Sequence, residues 1–147
     1  MTRMQATRLG LVVLALTGLL PGAWAAASPR GFYDDFPGFG AHWVAADGPY
    51  NEHLVRDFGA LNLALGLLAV FAALWATRHL VVATAVAFLV FGVPHLTYHL
   101  FHGSAGGIGE EIAFYGGVAL GPVVAAALLV AESRASHEPD AASGATG

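Results

Sequence analysis

The sequence predicts an all-α fold: a four-helix transmembrane bundle with an aromatic-rich extracytoplasmic loop between spans 1 and 2. Three observations carry this. The stretches 9–27, 58–77, 80–100 and 112–131 contain no acid, lysine or arginine, and each has about the 20 apolar residues that a helix needs to cross ~30 Å of hydrocarbon. Over the 147 residues, 56% are hydrophobic and 11% are charged, with a mean hydropathy of +0.64, whereas soluble domains carry about 25% charged residues. Glycine recurs inside the blocks, at Gly59, Gly66, Gly92, Gly116, Gly117 and Gly121, as close helix packing in lipid favours. Gly117 and Gly121 form a GxxxG step, a pattern that also arises by chance in glycine-rich chains.

The same counts exclude whole classes of function. Six basic side chains, all arginine, stand against ten acids for a net charge of −4. A nucleic-acid binder needs a basic stripe to neutralise phosphates, and there is none. The absence of cysteine removes disulfide frameworks, thiolate zinc sites, iron–sulfur clusters, covalent c-type haem and cysteine nucleophiles together.

Taken in order, the first apolar block has two readings. Arg3 and Arg8 precede it, and Pro21-Gly22 followed by Ala23-Trp24-Ala25 supplies a breaker and an A-x-A step. That is also the pattern of a secretory signal peptide, whose removal would leave three spans. Under either reading the residues after Ala27 emerge outside. Spans are drawn at about 9–27, 54–77, 80–102 and 110–131, in a membrane domain 1–132, followed by an Ala/Ser/Gly-rich cytoplasmic tail 133–147 that reads as disordered.

Arginine placement orients the chain. Arg3, Arg8, Arg78 and Arg134 fall on one side. Arg30 and Arg56 lie on the other beside Asp34, Asp35, Asp47, Glu52, Asp57, Glu110 and Glu111. This predicts a multi-pass protein of a bacterial plasma membrane with both termini in the cytoplasm. Its partners are the lipid bilayer and, by expectation, another membrane protein or a second copy of itself.

The polar residues gather at the outer end. The loop 31–52 holds Phe32, Tyr33, Phe36, Phe39, Trp43 and Tyr50 together with prolines 37 and 49 and several glycines. It reads as a set of turns lying across the mouth of the bundle, either an interfacial aromatic cover or a lid over a pocket. The second span opens with Asn51-Glu52-His53-Leu54-Val55-Arg56-Asp57. Helical spacing brings Glu52 to Arg56 and His53 to Asp57. Asn62 lies deeper, near the expected level of His95.

The third span ends in Pro94-His95-Leu96-Thr97-Tyr98-His99-Leu100-Phe101-His102. His95, His99 and His102 fall on one helical stripe, and two histidines a turn apart can chelate one metal. Pro94 withholds an N–H and frees a carbonyl near them. His53, His95, His99 and His102 are therefore the candidate metal ligands, for Zn, Fe or Cu. Arg56, Asp57, Asn62, Tyr98 and Glu111 are the candidate ligand-binding residues around them. The plain alternative is a row of interfacial histidines hydrogen-bonded to neighbours and water.

Other chemistries are absent from the sequence. The residue after His95 is leucine, so there is no HExxH zincin motif. One histidine box is too few for a di-iron hydroxylase, and His53 is too shallow to face His95 across a haem. The glycine run 103–109 follows no strand and has no P-loop lysine.

The stretches FYDDFPGFGAHWVAADGPYNEHLVRDFGALNLALG and GVPHLTYHLFH resemble a group of small four-span integral membrane proteins of actinobacteria, uncharacterised in function and DoxX-like in size and layout. Their polar motifs are not those of DoxX. The resemblance covers roughly 31–131 and is most specific at 49–57 and 94–99. It implies a retained first span and brings no activity. From the residues, the first expectation is an outward-facing His/carboxylate site for a divalent metal or small polar ligand. The second is a non-catalytic accessory or scaffold subunit. The third is a small enzyme acting on lipid or quinone head groups, with a histidine as general base.

Overall fold

Helices begin where side chains answer the unpaired N–H groups of the first turn. Thr2 and Gln5 do so reciprocally: Gln5 N–H donates to Thr2 Oγ1 (3.2 Å) and Thr2 N–H to Gln5 Oε1 (2.8 Å). This capping box starts α1 at Arg3, ahead of the apolar block. Asn51 accepts from Leu54 N–H (3.2 Å) and starts α4. Pro29, which has no N–H to leave unpaired, opens α2.

In the computed structural model, which describes residues 1–102 and 107–137, the order is α1 (Arg3–Ala27), α2 (Pro29–Asp35), β1 (Pro37–Gly38), β2 (Ala41–His42), α3 (Trp43–Asp47), α4 (Glu52–Trp75), α5 (Arg78–His102) and α6 (Ile108–His137). The four long helices α1, α4, α5 and α6 are each apolar and long enough to cross a membrane. The fold is the all-α four-helix bundle that the sequence predicts, and the chain is a multi-pass membrane protein. Its outer surface is apolar: Leu16, Leu67, Phe71 and Val90 all point outward, as contact with lipid requires.

α1 packs most extensively against α4, and α5 against α6, while thinner α1–α6 and α4–α5 contacts close the ring. The α1–α4 seam is backbone on backbone. A Cβ on Gly18 would lie 2.8 Å from the Asn62 carbonyl oxygen and the Gly66 nitrogen, and one on Gly22 would lie 2.7 Å from Leu63 N. From the other side, a Cβ on Gly59 would meet Ala26 N at 2.7 Å. At the α5–α6 seam, Gly92 faces the Pro122 ring, 3.0 Å from where its Cβ would be. The GxxxG step seen in the sequence is not a seam, since Gly117 and Gly121 have only ordinary contacts at 3.8–4.0 Å.

The core between the seams holds Leu11 and Leu14 of α1, Ala69 and Ala72 of α4, Val81 and Phe88 of α5, and Leu128 of α6. α1, the segment that also reads as a leader, is thus part of the bundle's interior. Buried Thr84 is satisfied locally, its hydroxyl donating to the Leu80 carbonyl (2.7 Å). At the end of the bundle opposite the 29–51 segment, Glu132 is 7% exposed and pairs with Arg3 at 3.0 Å. This contact joins the first turn of α1 to α6, which runs on to His137. The helix therefore extends beyond the expected span limit of 131 into the segment expected as a tail. Residues 138–147 of that tail, and 103–106 of the glycine-rich connection, lie outside the described residues. α4 turns into α5 through Ala76, which takes a left-handed φ of 47° while its N–H bonds the Ala72 carbonyl (2.8 Å).

Two predictions follow from this packing. Gly22→Val drives two methyl groups into the α4 backbone and is expected to cost about 1–3 kcal/mol, seen as a lower thermal midpoint in detergent. Gly117→Ala, by contrast, should change it by no more than about 0.5 kcal/mol. Equal midpoints for the two variants would refute the seam. Ala76→Gly removes the steric penalty of a left-handed residue and is expected to raise stability by about 1 kcal/mol, measured in the same unfolding experiment.

Candidate functional site

The segment between α1 and α4, expected as turns, instead contains two short helices and a two-residue hairpin in which Pro37 pairs with His42. Aromatic packing holds it down. Phe32 is buried against Phe36 (ring centroids 4.6 Å apart), Phe58 (5.5 Å) and Trp24 (6.1 Å). Trp43 meets Phe114 edge-on at 5.0 Å and its indole N–H donates to Glu110 (3.0 Å). Tyr98 O–H reaches the Asp47 carboxylate at 3.4 Å. One cap therefore touches all four long helices, through Trp24, Phe58, Tyr98 and the Glu110–Phe114 turn. On its exposed side Arg30 bonds Asp34 (2.7 Å) and lies over the rings of Tyr33 and Tyr50. The hydrogen bond to Asp34, then its negative charge, hold the guanidinium pKa above its ordinary value.

Beneath the cap, α5 presents a ladder of rings. His95 stacks on Phe91 (5.3 Å, 18°) and meets His99 edge-to-face at 4.7 Å. His99 in turn is edge-on to Phe114 at 4.8 Å. The ring nitrogens of His95 and His99 have no hydrogen-bond or ion-pair partner among the described residues. His102 leaves the line: it stacks on Tyr98 at 4.0 Å and its Nδ1 donates to the Tyr98 carbonyl (2.8 Å). At 1.5 Å per residue, His95 lies ~10 Å along α5 from His102.

The other candidate residues are placed elsewhere. His53 pairs with Asp57 at 3.2 Å on an exposed face, the imidazole 87% exposed. Arg56 bonds Glu52 (2.9 Å) and donates to the Ala26 carbonyl at the end of α1 (3.1 Å). That carbonyl belongs to the last helical turn, where a cation also meets the negative end of the helix dipole. Asn62 is 4% exposed, bonds the Phe58 carbonyl (2.9 Å), and lies in the α1–α4 seam rather than beside His95. Glu111 is exposed on the first turn of α6, and it is Glu110 that engages the cap. Among the described residues, no group of three or more His, Asp or Glu side chains is arranged to hold a metal ion. The structure thus brings His95 and His99 together, keeps Tyr98 and His102 as a neighbouring stacked pair, and separates His53, Arg56, Asp57, Asn62 and Glu111 from them.

Between α4 and α5, where contact is thin, runs a groove of about 640 Å³. Leu61, Leu65, Ala87, Val90, Phe91 and Pro94 line it, and His95 is its one polar side chain. Leu61 and Val90, at 47% and 71% exposure, open it to the outside of the bundle. Pro94, within α5, supplies no N–H to the Val90 carbonyl on the groove wall. The sequence gives no local signal for Trp43 and Asp47 as site neighbours, because their partners Glu110 and Tyr98 are distant in the chain.

No protein-family model, curated protein or solved structure matches this chain.

What the arrangement can do chemically follows from its donors. Two imidazoles offer ring N–H donors and lone-pair acceptors in apolar surroundings, where an unmade hydrogen bond is costly. Of the carboxylates expected around them, Asp57 is paired with His53 and Glu111 is exposed, while Glu110 and Asp47 bond Trp43 and Tyr98. The prediction for the separated residues is a contrast. Arg56→Ala leaves the α1 end carbonyl without its donor and is expected to cost about 1 kcal/mol, while Asp57→Ala, on the exposed face, stays within about 0.5 kcal/mol. Thermal midpoints of the two variants check this.

Proposed function

We propose that this multi-pass protein is a ligand-binding protein whose site is the His95–His99 pair, beneath the aromatic cap and at the outer face of a bacterial plasma membrane. The observation that supports it is the pair of adjacent imidazoles at membrane depth without hydrogen-bond partners among the described residues. Polar groups there are satisfied internally or by something that binds. Tyr98 and the cap position the ladder, through the Asp47 and Glu110 hydrogen bonds.

A divalent metal (Zn, Fe or Cu) is the second reading, supported by the His95–His99 spacing of one helical turn. In that reading the pair supplies two ligands. His102 and His53 join only by leaving the Tyr98 carbonyl and Asp57, so the remaining positions fall to water or to a group carried by a partner. The accessory-subunit reading treats the ladder as packing alone. The kinship with small four-span actinobacterial proteins, DoxX-like in layout, rests on the 49–57 and 94–99 motifs and adds no substrate.

The deciding experiment is mass spectrometric and elemental analysis of detergent-purified, untagged protein beside His95→Ala/His99→Ala. A small molecule or near-stoichiometric metal present in the parent and lost from the variant, with helicity by circular dichroism unchanged, is the expected result. Identical composition of the two, both folded, would leave the accessory subunit as the reading.

A further inference from the structure

The α4–α5 groove joins His95 to the outside of the bundle, and its chemistry is selective. Its walls are hydrocarbon and aromatic, its rim residues Leu61 and Val90 are exposed, and His95 stands within it at the level of Phe91 and Phe58. No charged side chain lines it. A phospholipid head group, charged and strongly hydrated, is poorly matched to such walls at ~10 Å along α5 from the helix end. An acyl chain would fill the space yet leave the imidazole unpaired. A flat, uncharged ring that bears carbonyl oxygens on an apolar tail satisfies every surface. Its oxygen accepts from the imidazole N–H, its ring packs on Phe91, and its tail runs out between Leu61 and Val90 into the bilayer. The volume of about 640 Å³ is in the ordinary range of ~300–1,000 Å³ for small-molecule sites.

Resting on the reading of His95–His99 as a ligand site, we propose that the ligand is a lipid-soluble quinone that reaches His95 sideways from the membrane through the α4–α5 groove. His95 is the hydrogen-bond donor to the ring carbonyl. His99, packed edge-on against it, is a positioning residue. Ala87, small and on the groove wall, leaves the room that the ring requires.

The test uses the full chain in phosphatidylcholine nanodiscs titrated with decylubiquinone, read as thermal midpoint. A saturable rise of several degrees is expected for the parent, because a ligand that binds only the folded state stabilises it by mass action. His95→Ala should abolish the response and His95→Gln, which keeps an N–H donor, should retain part of it. Ala87→Trp fills the groove, leaves both histidines in place, and should also abolish it. No response in the parent, or an equal response in parent, His95→Ala and Ala87→Trp, overturns the proposal. A species that co-purifies with parent and Ala87→Trp but not with His95→Ala/His99→Ala would overturn the quinone and lateral route while leaving the ligand site standing. A second protein bound along the groove and displaced by Ala87→Trp, with no effect of decylubiquinone, would overturn it in favour of a helix partner.

Discussion

The architecture depends on one close approach, that of α1 to α4. Gly18 and Gly22 of α1 meet Asn62, Leu63 and Gly66 of α4 at distances where a single added methyl group would overlap backbone atoms. In lipid there is little hydrophobic reward for burying one apolar helix against another, so contact of this kind is what holds helices together. It fixes the position of the α1 end, which places Ala26 under Arg56 and Trp24 under Phe32 and Phe36. The cap starts from that end and takes its footing from it. A change in the seam is therefore felt at the cap, although the two share few residues.

The cap has a different physical character. It consists of rings packed edge to face or tilted, with two hydrogen bonds of long sequence separation, Trp43 to Glu110 and Tyr98 to Asp47. Such contacts join α5 and α6 to a segment rooted in α1 and α4. They also engage two carboxylates of this end, Glu110 and Asp47. What is left below is a pair of imidazoles with aromatic neighbours and no hydrogen-bond or ion-pair partner among the described residues.

The four spans were legible in the sequence because a bilayer imposes length and polarity on every helix that crosses it, and 9–27, 58–77, 80–100 and 112–131 obey both. Their ends were less so. α1 begins at Arg3 because of a cap made by Thr2 and Gln5, and α6 continues past Glu132 because that side chain is buried against Arg3. The local pairs Glu52–Arg56 and His53–Asp57 were readable from one-turn spacing, as was the nearness of His95 to His99. Register about the helix axis was not. It is Phe58 that stands beside His95 while Asn62, a turn deeper, faces α1, and His102, in line by spacing, is drawn off by the Tyr98 ring and carbonyl. Of the seam glycines, Gly59, Gly66 and Gly92 were readable as packing positions, whereas Gly22 follows Pro21 and reads as a breaker, although Pro21 lies within a continuous helix.

The unequal strength of the contacts around the ring has a consequence for biogenesis. The tight pairs are the first with the second span and the third with the fourth, while the two halves touch lightly across the Ala76 turn. Each pair consists of neighbours in the chain, so the first hairpin can close its glycine seam while the second is still being synthesised. The molecule is thus built as two hairpins, and the groove that carries His95 is the joint between them.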